Sequence, residues 1–362
     1  MDAELKKLSE KVREAARSKR ALRLRGGGTK DFYGQALEGE VLDTRGYSAI
    51  VSYEPSELVI TARCGTRLSE VEAAMRERGQ MLAFEPPHFA RFGSDGATLF
   101  ATVGGAVAAG LSGPGRQAAG ALRDFVLGTK IMDGRGEVLT FGGQVMKNVA
   151  GYDVSRLMAG SLGTLGIILE VSLKALPLPA AEATLRFELP EDRAIEQLNR
   201  WGGKPLPISA SAWNDGTLGI RLSGVAAAVK AAREKLGGGL VETGPAERFW
   251  AGVREQTDRF FRDDTPLWRI SVPSTTPPLK LQGEQLIEWG GALRWLHSHA
   301  DARTVREAAK RAGGHATLFR GGDKAVGVFQ PLAPALVKVH KQLKREFDPQ
   351  GVFNRGRMYP EL

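Results

Sequence analysis

Leu5, Leu8, Val12 and Ala15 recur at helical spacing among charged residues, which predicts an amphipathic helix at the start of the chain. A short strand from Ala21 to Arg25 follows. Apolar runs at Val41-Leu42, Ala49 to Tyr53 and Leu58 to Ala62, separated by turn residues, predict further strands. Arg67 to Arg78 reads as a helix with Leu68, Val71 and Met75 on one face and Gly79 as its stop. This alternation predicts a small α/β unit.

From residue 89 to 170 the texture changes: 17 glycines fall in 82 residues, against 45 in the whole 362. Apolar segments at Phe125 to Ile131, Val138 to Phe141 and Leu165 to Leu173 lie between them. Such density predicts a backbone that turns tightly or lies against something flat. Antiparallel turns alone would also account for it. Ala97 to Gly115 carries no charge over 19 residues, but five glycines and a proline deny it the bulk of a lipid-facing helix. It reads as a buried loop-and-strand segment.

Leu176-Pro177-Leu178-Pro179 marks a boundary. Beyond it lie all six tryptophans and a β-α pattern: Ile208 to Trp213, Thr217 to Leu222, a helix from Val225 to Leu236, Leu267 to Val272, Ala292 to Leu296, a helix from Ala302 to Arg311, and His315 to Phe319. This predicts an antiparallel sheet backed by helices. Ala335 to Phe347 reads as a helix before an irregular tail. The expected domains are 1–178, 179–334 and 335–362, in an α+β chain.

With 42% hydrophobic and 25% charged residues, the composition excludes a disordered chain and a coiled coil. One cysteine, Cys64, excludes an internal disulfide and a cysteine-cluster metal site and fits a reducing compartment. Residues 2 to 20 alternate acidic and basic with no apolar run of the secretory type. The expected location is cytoplasmic, with any membrane contact peripheral. The net charge of +9 sits at the ends, +6 in residues 1–30 and +3 in residues 335–362. Those ends fit the solvated faces of helices, or a grip on a partner subunit or membrane surface. No motif with interleaved aromatics supports nucleic acid.

Three nucleotide motifs can be tried. The Gly-Lys pair at 203–204 is followed by Pro205, so a P-loop fails. Gly113-Pro114-Gly115-Arg116-Gln117-Ala118 matches the Rossmann spacing without the preceding buried strand, so a nicotinamide site is not expected. Arg25-Gly26-Gly27-Gly28-Thr29-Lys30 follows a strand, and its consecutive amides can converge into a nest for a diphosphate.

That last motif opens an ordered set. It continues through Leu42-Asp43-Thr44, Cys64-Gly65-Thr66, Thr102-Val103-Gly104-Gly105, Arg123 to Gly128, Lys147 to Asp153 and Gly160-Ser161-Leu162-Gly163-Thr164-Leu165-Gly166-Ile167-Ile168, and closes with Phe347 to Arg357. The set resembles the vanillyl-alcohol oxidase family, flavoproteins with a p-cresol methylhydroxylase-type (PCMH-type) FAD-binding domain. Within it the chain is similar to the FAD-binding subunits of bacterial glycolate oxidase, through Lys147 to Asp153, Leu267-Trp268-Arg269 and Gly290 to Leu296.

The resemblance implies a PCMH-type FAD domain of two α/β subdomains, a cap domain, and a tail returning to the FAD domain. It implies a complex with a larger FAD-containing subunit and an iron–sulfur subunit, oxidising glycolate, a small 2-hydroxy acid, to glyoxylate. The cofactor residues it implies are Gly26, Gly27, Gly28, Thr29, Lys30, Thr102, Gly104, Gly105, Gly160, Ser161, Gly163, Gly166 and Ile168. Arg116 and Lys147, beside glycine-rich segments, are candidates to stabilise negative charge on a reduced flavin, with surface salt bridges as the alternative. No histidine precedes His88, and Cys64 reads as a small buried hydrophobe, so FAD is expected to be non-covalent.

A 2-hydroxy acid needs a carboxylate anchor, and Arg269, Arg294 and Arg320 on predicted second-domain strands are the candidates. His297 and His299 have no acidic cluster beside them, and the histidine-rich metal motif of the larger subunit is not found. No metal is expected. Two other readings stay open: a complete FAD-dependent 2-hydroxy-acid dehydrogenase, and a scaffold subunit.

Overall fold

The computed structural model describes residues 2–92, 98–143 and 152–362. The chain divides into two compact units. The first comprises residues 1–111, 121–177 and 331–362, and the second residues 112–120 and 178–330. The sequence reading places 112–120 in the first domain; the segment instead groups with the second unit, where Arg116 meets Trp289 and Gln117 meets Ser211.

The first unit opens with helix α1 (Ala3–Ser18), capped by the Asp2 side chain, which accepts from the Glu4 amide. Its stripe Leu8, Val12 and Ala15 joins Leu22, Leu42, Tyr47, Cys64, Leu169, Val352 and Phe353 in one core. Its polar face is solvated, with Lys6 and Lys7 near Glu10 and Glu4 of the same helix. Strands β1 (Leu22–Arg25) and β2 (Glu40–Asp43) pair in parallel. Then come β3 (Ile50–Glu54), β4 (Val59–Arg63), helix α2 (Leu68–Arg76), helix α3 (Val103–Ala109), β5 (Val126–Met132), β6 (Val138–Gly142) and β7 (Ile167–Lys174). They include a five-stranded antiparallel sheet of order β3-β4-β7-β5-β6.

Helix α3 corrects the expectation of loop and strand for the uncharged stretch. Thr102 caps it, accepting from the Gly105 amide at 3.2 Å. The run Val-Gly-Gly-Ala-Val-Ala-Ala lets it lie directly on β4: a Cβ on Gly104 would come 2.6 Å from Cys64 Cβ. The helix is built for close approach, and burial outweighs the low helix propensity of its glycines.

In the second unit, β8 (Ala181–Glu188), β9 (Ile208–Asn214), β10 (Thr217–Gly224), β11 (Gly239–Val241), β12 (Leu267–Ser271), β13 (Glu284–Glu288), β14 (Leu293–His297) and β15 (His315–Arg320) form one antiparallel sheet. Its order is β11-β8-β10-β9-β13-β14-β12-β15. Helix α4 (Ala302–Arg311) sets Val305 and Ala309 against Trp268, Ile270, Leu296 and Leu318 on one face.

The tail returns to the first unit. Helix α5 (Pro334–Phe347) carries Lys344 in its last turn, and the buried ammonium donates to Thr164 O at 2.7 Å, Asp348 Oδ2 at 2.7 Å and Phe353 O at 2.8 Å. Burial lowers the Lys344 pKa while Asp348 opposes the shift. Leu22 N donates to Val352 O and Asn354 N to Leu22 O, a single parallel bridge that ties the tail to β1. Replacing Lys344 with methionine leaves Asp348 buried without its cation. The expected loss is about 3 kcal/mol of unfolding free energy, read as a lower urea midpoint; an unchanged midpoint would show that this pair does not hold the tail.

Candidate flavin site

The glycine loop follows β1 directly. Its glycines answer to packing first: a Cβ on Gly27 would land on the Phe100 carbonyl and one on Gly26 on the Thr102 hydroxyl, and Gly28 has φ +74°. With residues 100–102 pressed against one side, the loop's amides are left for the other. The N–H groups of Gly26, Gly27, Gly28 and Thr29 have no acceptor among the described residues. Four successive unsatisfied donors form an anion nest by geometry.

These amides line an open cleft with Lys30, Asp31, Thr102, Gly105, Leu162, Asn354 and Arg357. A second cavity shares Arg25, Gly26, Gly105, Leu162 and Asn354 with it and adds Cys64, Gly104, Gly163, Gly166 and Ile168. The first is the cationic end, where Arg25, Lys30 and Arg357 face one carboxylate, Asp31. Asp31 Oδ2 accepts from Arg23 Nη2 at 2.7 Å and Arg25 Nε at 3.0 Å. Arg357 Nη2 donates to the Asp31 carbonyl at 2.9 Å. Burial draws the Arg357 pKa down to about 10, against the pull of Asp31, so it stays charged at neutral pH. The second cavity is lined by small and apolar groups. A diphosphate at the charged end and an uncharged ring or ribityl portion at the other fit this donor set.

Three stretches far apart in sequence meet here. Asn354 joins them: its Oδ1 accepts from Leu24 N at 2.8 Å and its Nδ2 donates to Leu162 O at 2.6 Å. Sequence reasoning quoted the tail but assigned no site role to Asn354 or Arg357. Their signal was the Asn354-Arg355-Gly356-Arg357 motif, whose contacts depend on the tail's return. Leu162, also missed, has φ +51°, so the turn at 160–166 is left-handed at a non-glycine residue as well as at Gly160 and Gly163.

The predicted residues divide clearly. Gly26, Gly27, Gly28, Thr29, Lys30, Thr102, Gly104, Gly105, Gly163, Gly166 and Ile168 line the two cavities. Gly160 and Ser161 are not among the lining residues; the Gly160 amide donates to Val107 O and the Ser161 amide to Met158 O, forming the turn beside α3. Lys147 lies outside the described residues. Arg116 belongs to the second unit, where its guanidinium lies 4.2 Å from the Trp289 ring centroid.

Of the carboxylate-anchor candidates, Arg269 stacks on Trp289 and Trp295, and Arg320 donates to Gln256 Oε1. Arg294 requires a correction. It is 0% exposed, donates to Gly291 O at 2.7 Å and Thr276 O at 2.8 Å, and lies 3.5 Å from Glu191. Burial draws its pKa down to about 10, and Glu191 opposes the shift. It is a cation of the core, held by backbone carbonyls.

Cys64 is buried against Gly104, and burial pushes its thiol pKa up to about 12. The nucleophilic thiolate is therefore suppressed. His88, the first histidine, is engaged with Glu72 at 2.9 Å. No group of three or more metal-ligating side chains occurs among the described residues, and no described helix is long and apolar enough to cross a membrane.

Residues 3–142 match the family model described as FAD binding domain. Over 355 residues the chain is 51% identical to the glycolate oxidase subunit GlcE of Escherichia coli (strain K12), covering 98% of this chain and 97% of that protein. It is 31% identical over 147 residues to the glycolate oxidase subunit GlcD of Bacillus subtilis (strain 168), covering 41% of this chain and 29% of that one. A D-2-hydroxyglutarate dehydrogenase of Xanthomonas citri pv. viticola is 31% identical over 45% of this chain and 33% of its own. Among solved structures, an alkyldihydroxyacetonephosphate synthase shares the fold at TM-score 0.65 and 15% identity, covering 96% of this chain and 75% of that chain.

Asn354→Ala leaves Leu24 N and Leu162 O without their partner and frees the tail. FAD affinity, followed by flavin fluorescence, should fall at least about tenfold, the equivalent of one lost buried hydrogen bond. Unchanged affinity would show that the tail does not set the cleft. Trichloroacetic acid should release all the yellow colour into the supernatant, since the Cys64 thiol is unreactive; colour retained in the pellet would reveal a covalent bond. Joined to its relative along nearly the whole length, and carrying this cleft in its FAD-binding domain, the chain belongs to the GlcE family of flavoproteins.

Proposed function

We propose that this chain is the FAD-binding subunit of a glycolate oxidase complex, supporting oxidation of glycolate to glyoxylate and passing electrons through its flavin to an iron–sulfur partner subunit. The observation that carries the reading is the 51% identity to GlcE over 98% of the chain. The partner assignments follow that relative's standing as a subunit, alongside the likeness to GlcD. The likeness to the hydroxy-acid dehydrogenases spans less than half of this chain, which favours a subunit over a complete enzyme.

In this reading the Gly26 to Thr29 amides bind the diphosphate, and Arg25, Lys30 and Arg357 neutralise it. Asn354 orients the loop by holding both β1 and the 160–166 turn. Cys64, Gly104, Gly163 and Ile168 exclude water from the uncharged portion. FAD, when bound, supplies a two-electron acceptor.

The test is to purify the chain alone and co-expressed with the larger FAD subunit and the iron–sulfur subunit. The expected result is a yellow isolated protein that glycolate does not bleach, and a co-purified assembly that reduces an artificial acceptor with glycolate. Bleaching of the isolated chain would favour a complete dehydrogenase. A colourless chain whose assembly keeps full activity would make it a scaffold.

A further inference from the structure

Alternation along β1 sets the polar edge of the glycine loop. Leu22 and Leu24 pack with the core, so Arg23 and Arg25 share the opposite face. Beyond the glycines the chain turns back on itself: Asp31 N donates to Gly28 O at 3.2 Å and Tyr33 N to Lys30 O at 3.0 Å. That turn brings the Asp31 carboxylate to both arginines. Its Oδ2 accepts from Arg23 Nη2 and from Arg25 Nε together.

The two arginines differ in what they face. Arg25 lines both cavities, whereas Arg23 is not among the lining residues of either. Arg25 lies against the loop itself: a Cβ on Gly28 would come 2.7 Å from its Nη2 and 3.0 Å from its Nε. Among the described residues, Asp31 is the one side chain to which Arg25 donates a hydrogen bond. The next carboxylate, Asp43, stands opposite Arg25 in the β1–β2 ladder, but its oxygens are held by Arg45.

Asp31 carries the wrong sign for its place, since it lines the first cavity beside the bare amides of the loop. A carboxylate there lowers the local positive potential, and Coulomb attraction alone would favour its absence. What it supplies is order. An arginine loses much rotamer freedom when a ligand clamps it, and a fork fixed beforehand avoids that loss on binding.

We propose that Asp31 is a positioning residue for the cofactor's diphosphate, holding Arg25 against the glycine loop while Arg23 braces the carboxylate from outside the cleft. The proposal rests on the reading of Gly26 to Thr29 as the diphosphate seat and adds an acidic residue to it. The role belongs to the side chain. Arg357 takes the Asp31 main-chain carbonyl, which any residue at 31 would keep, so substitution spares the tail's contact.

The test is fluorescence titration of FAD into the flavin-stripped, full-length chain. Asp31→Ala should weaken FAD about tenfold, although it removes a negative charge beside an anion. Asp43→Ala removes a carboxylate that lines neither cavity and should bind like wild type. Arg25→Met should also weaken FAD, and Arg25→Met/Asp31→Ala should bind no more weakly than Arg25→Met alone. A general loosening of the fold would add to that loss, whereas action through Arg25 does not. Should Asp31→Ala fail to fold, Asp31→Asn, which keeps the shape without the charge, should still weaken FAD. Unchanged or tighter binding in the Asp31 variant, an equal loss in Asp43→Ala, or a further loss in the double variant overturns the proposal. Wild-type affinity in Arg25→Met would overturn the diphosphate seat itself, so the two readings fail by different results.

Discussion

One asparagine side chain closes the first unit. Asn354 accepts from the last strand of backbone before the glycine loop and donates to the turn that carries the later glycines. An amide side chain offers both an acceptor and a donor, and here both are used on backbone more than 190 residues away. A carboxylate could not donate to Leu162 O, and an alanine could do neither. The cleft therefore exists only once the tail has docked, and tail docking depends in turn on Lys344 and Asp348, a buried pair whose remaining valences go to backbone groups of Thr164, Val352 and Phe353.

That dependence explains the charge arrangement. Arg23 and Arg25 share the single carboxylate of Asp31 while Arg357 donates to its main-chain carbonyl, a surplus of cations that suits an anion. Four bare amides add partial positive charge in the same place. An anion relieves the repulsion among these groups, so filling the cleft and holding the tail favour one another. The glycine loop shows why sequence motifs of this type are ambiguous in isolation. Gly26 and Gly27 lack side chains because the 100–102 segment leaves no room, and their usefulness to a phosphate is a consequence of which side that packing leaves open.

Much of this was legible in the sequence, and the limits are physical. The helices with clean apolar stripes, α1 and α2, were readable because periodicity depends only on neighbours; Leu8, Val12 and Ala15 of α1 and Leu68, Val71 and Met75 of α2 are buried as the spacing nominated, while Leu5 is half-buried and Ser9 is buried unforeseen. The glycine loop and the 160–166 turn were readable as motifs. Helix α3 was not, because small residues carry no amphipathic signal, and its stability comes from contact with Cys64 and β4. Arg294 looked like its neighbours Arg269 and Arg320, each a charged residue on a predicted strand. Alternation fixes which residues share a face only once register is known, and a guanidinium whose Nε and Nη2 are held by the Gly291 and Thr276 carbonyls leaves no local trace. Asn354 and Arg357 stood in a recognised motif whose contacts were all long-range.

The placement of residues 112–120 ties these strands of reasoning together. The segment leaves the first unit after α3 and rejoins it at residue 121, yet its backbone and side chains are committed to the second through Gly113, Gln117 and Arg116. A nine-residue excursion, small but for Arg116 and Gln117, costs less to order when its hydrogen bonds are supplied by a turn that is itself held in place. The strain at Trp289 of that turn, a non-glycine residue with φ +53°, and the order of the excursion are thus mutually supporting: each would relax without the other. A substitution that relieved the turn, such as glycine at 289, would remove the indole and the reason for Arg116 to be there. What the strained backbone maintains is the pairing of two arginines, Arg116 and Arg269, that the sequence separates by more than 150 residues.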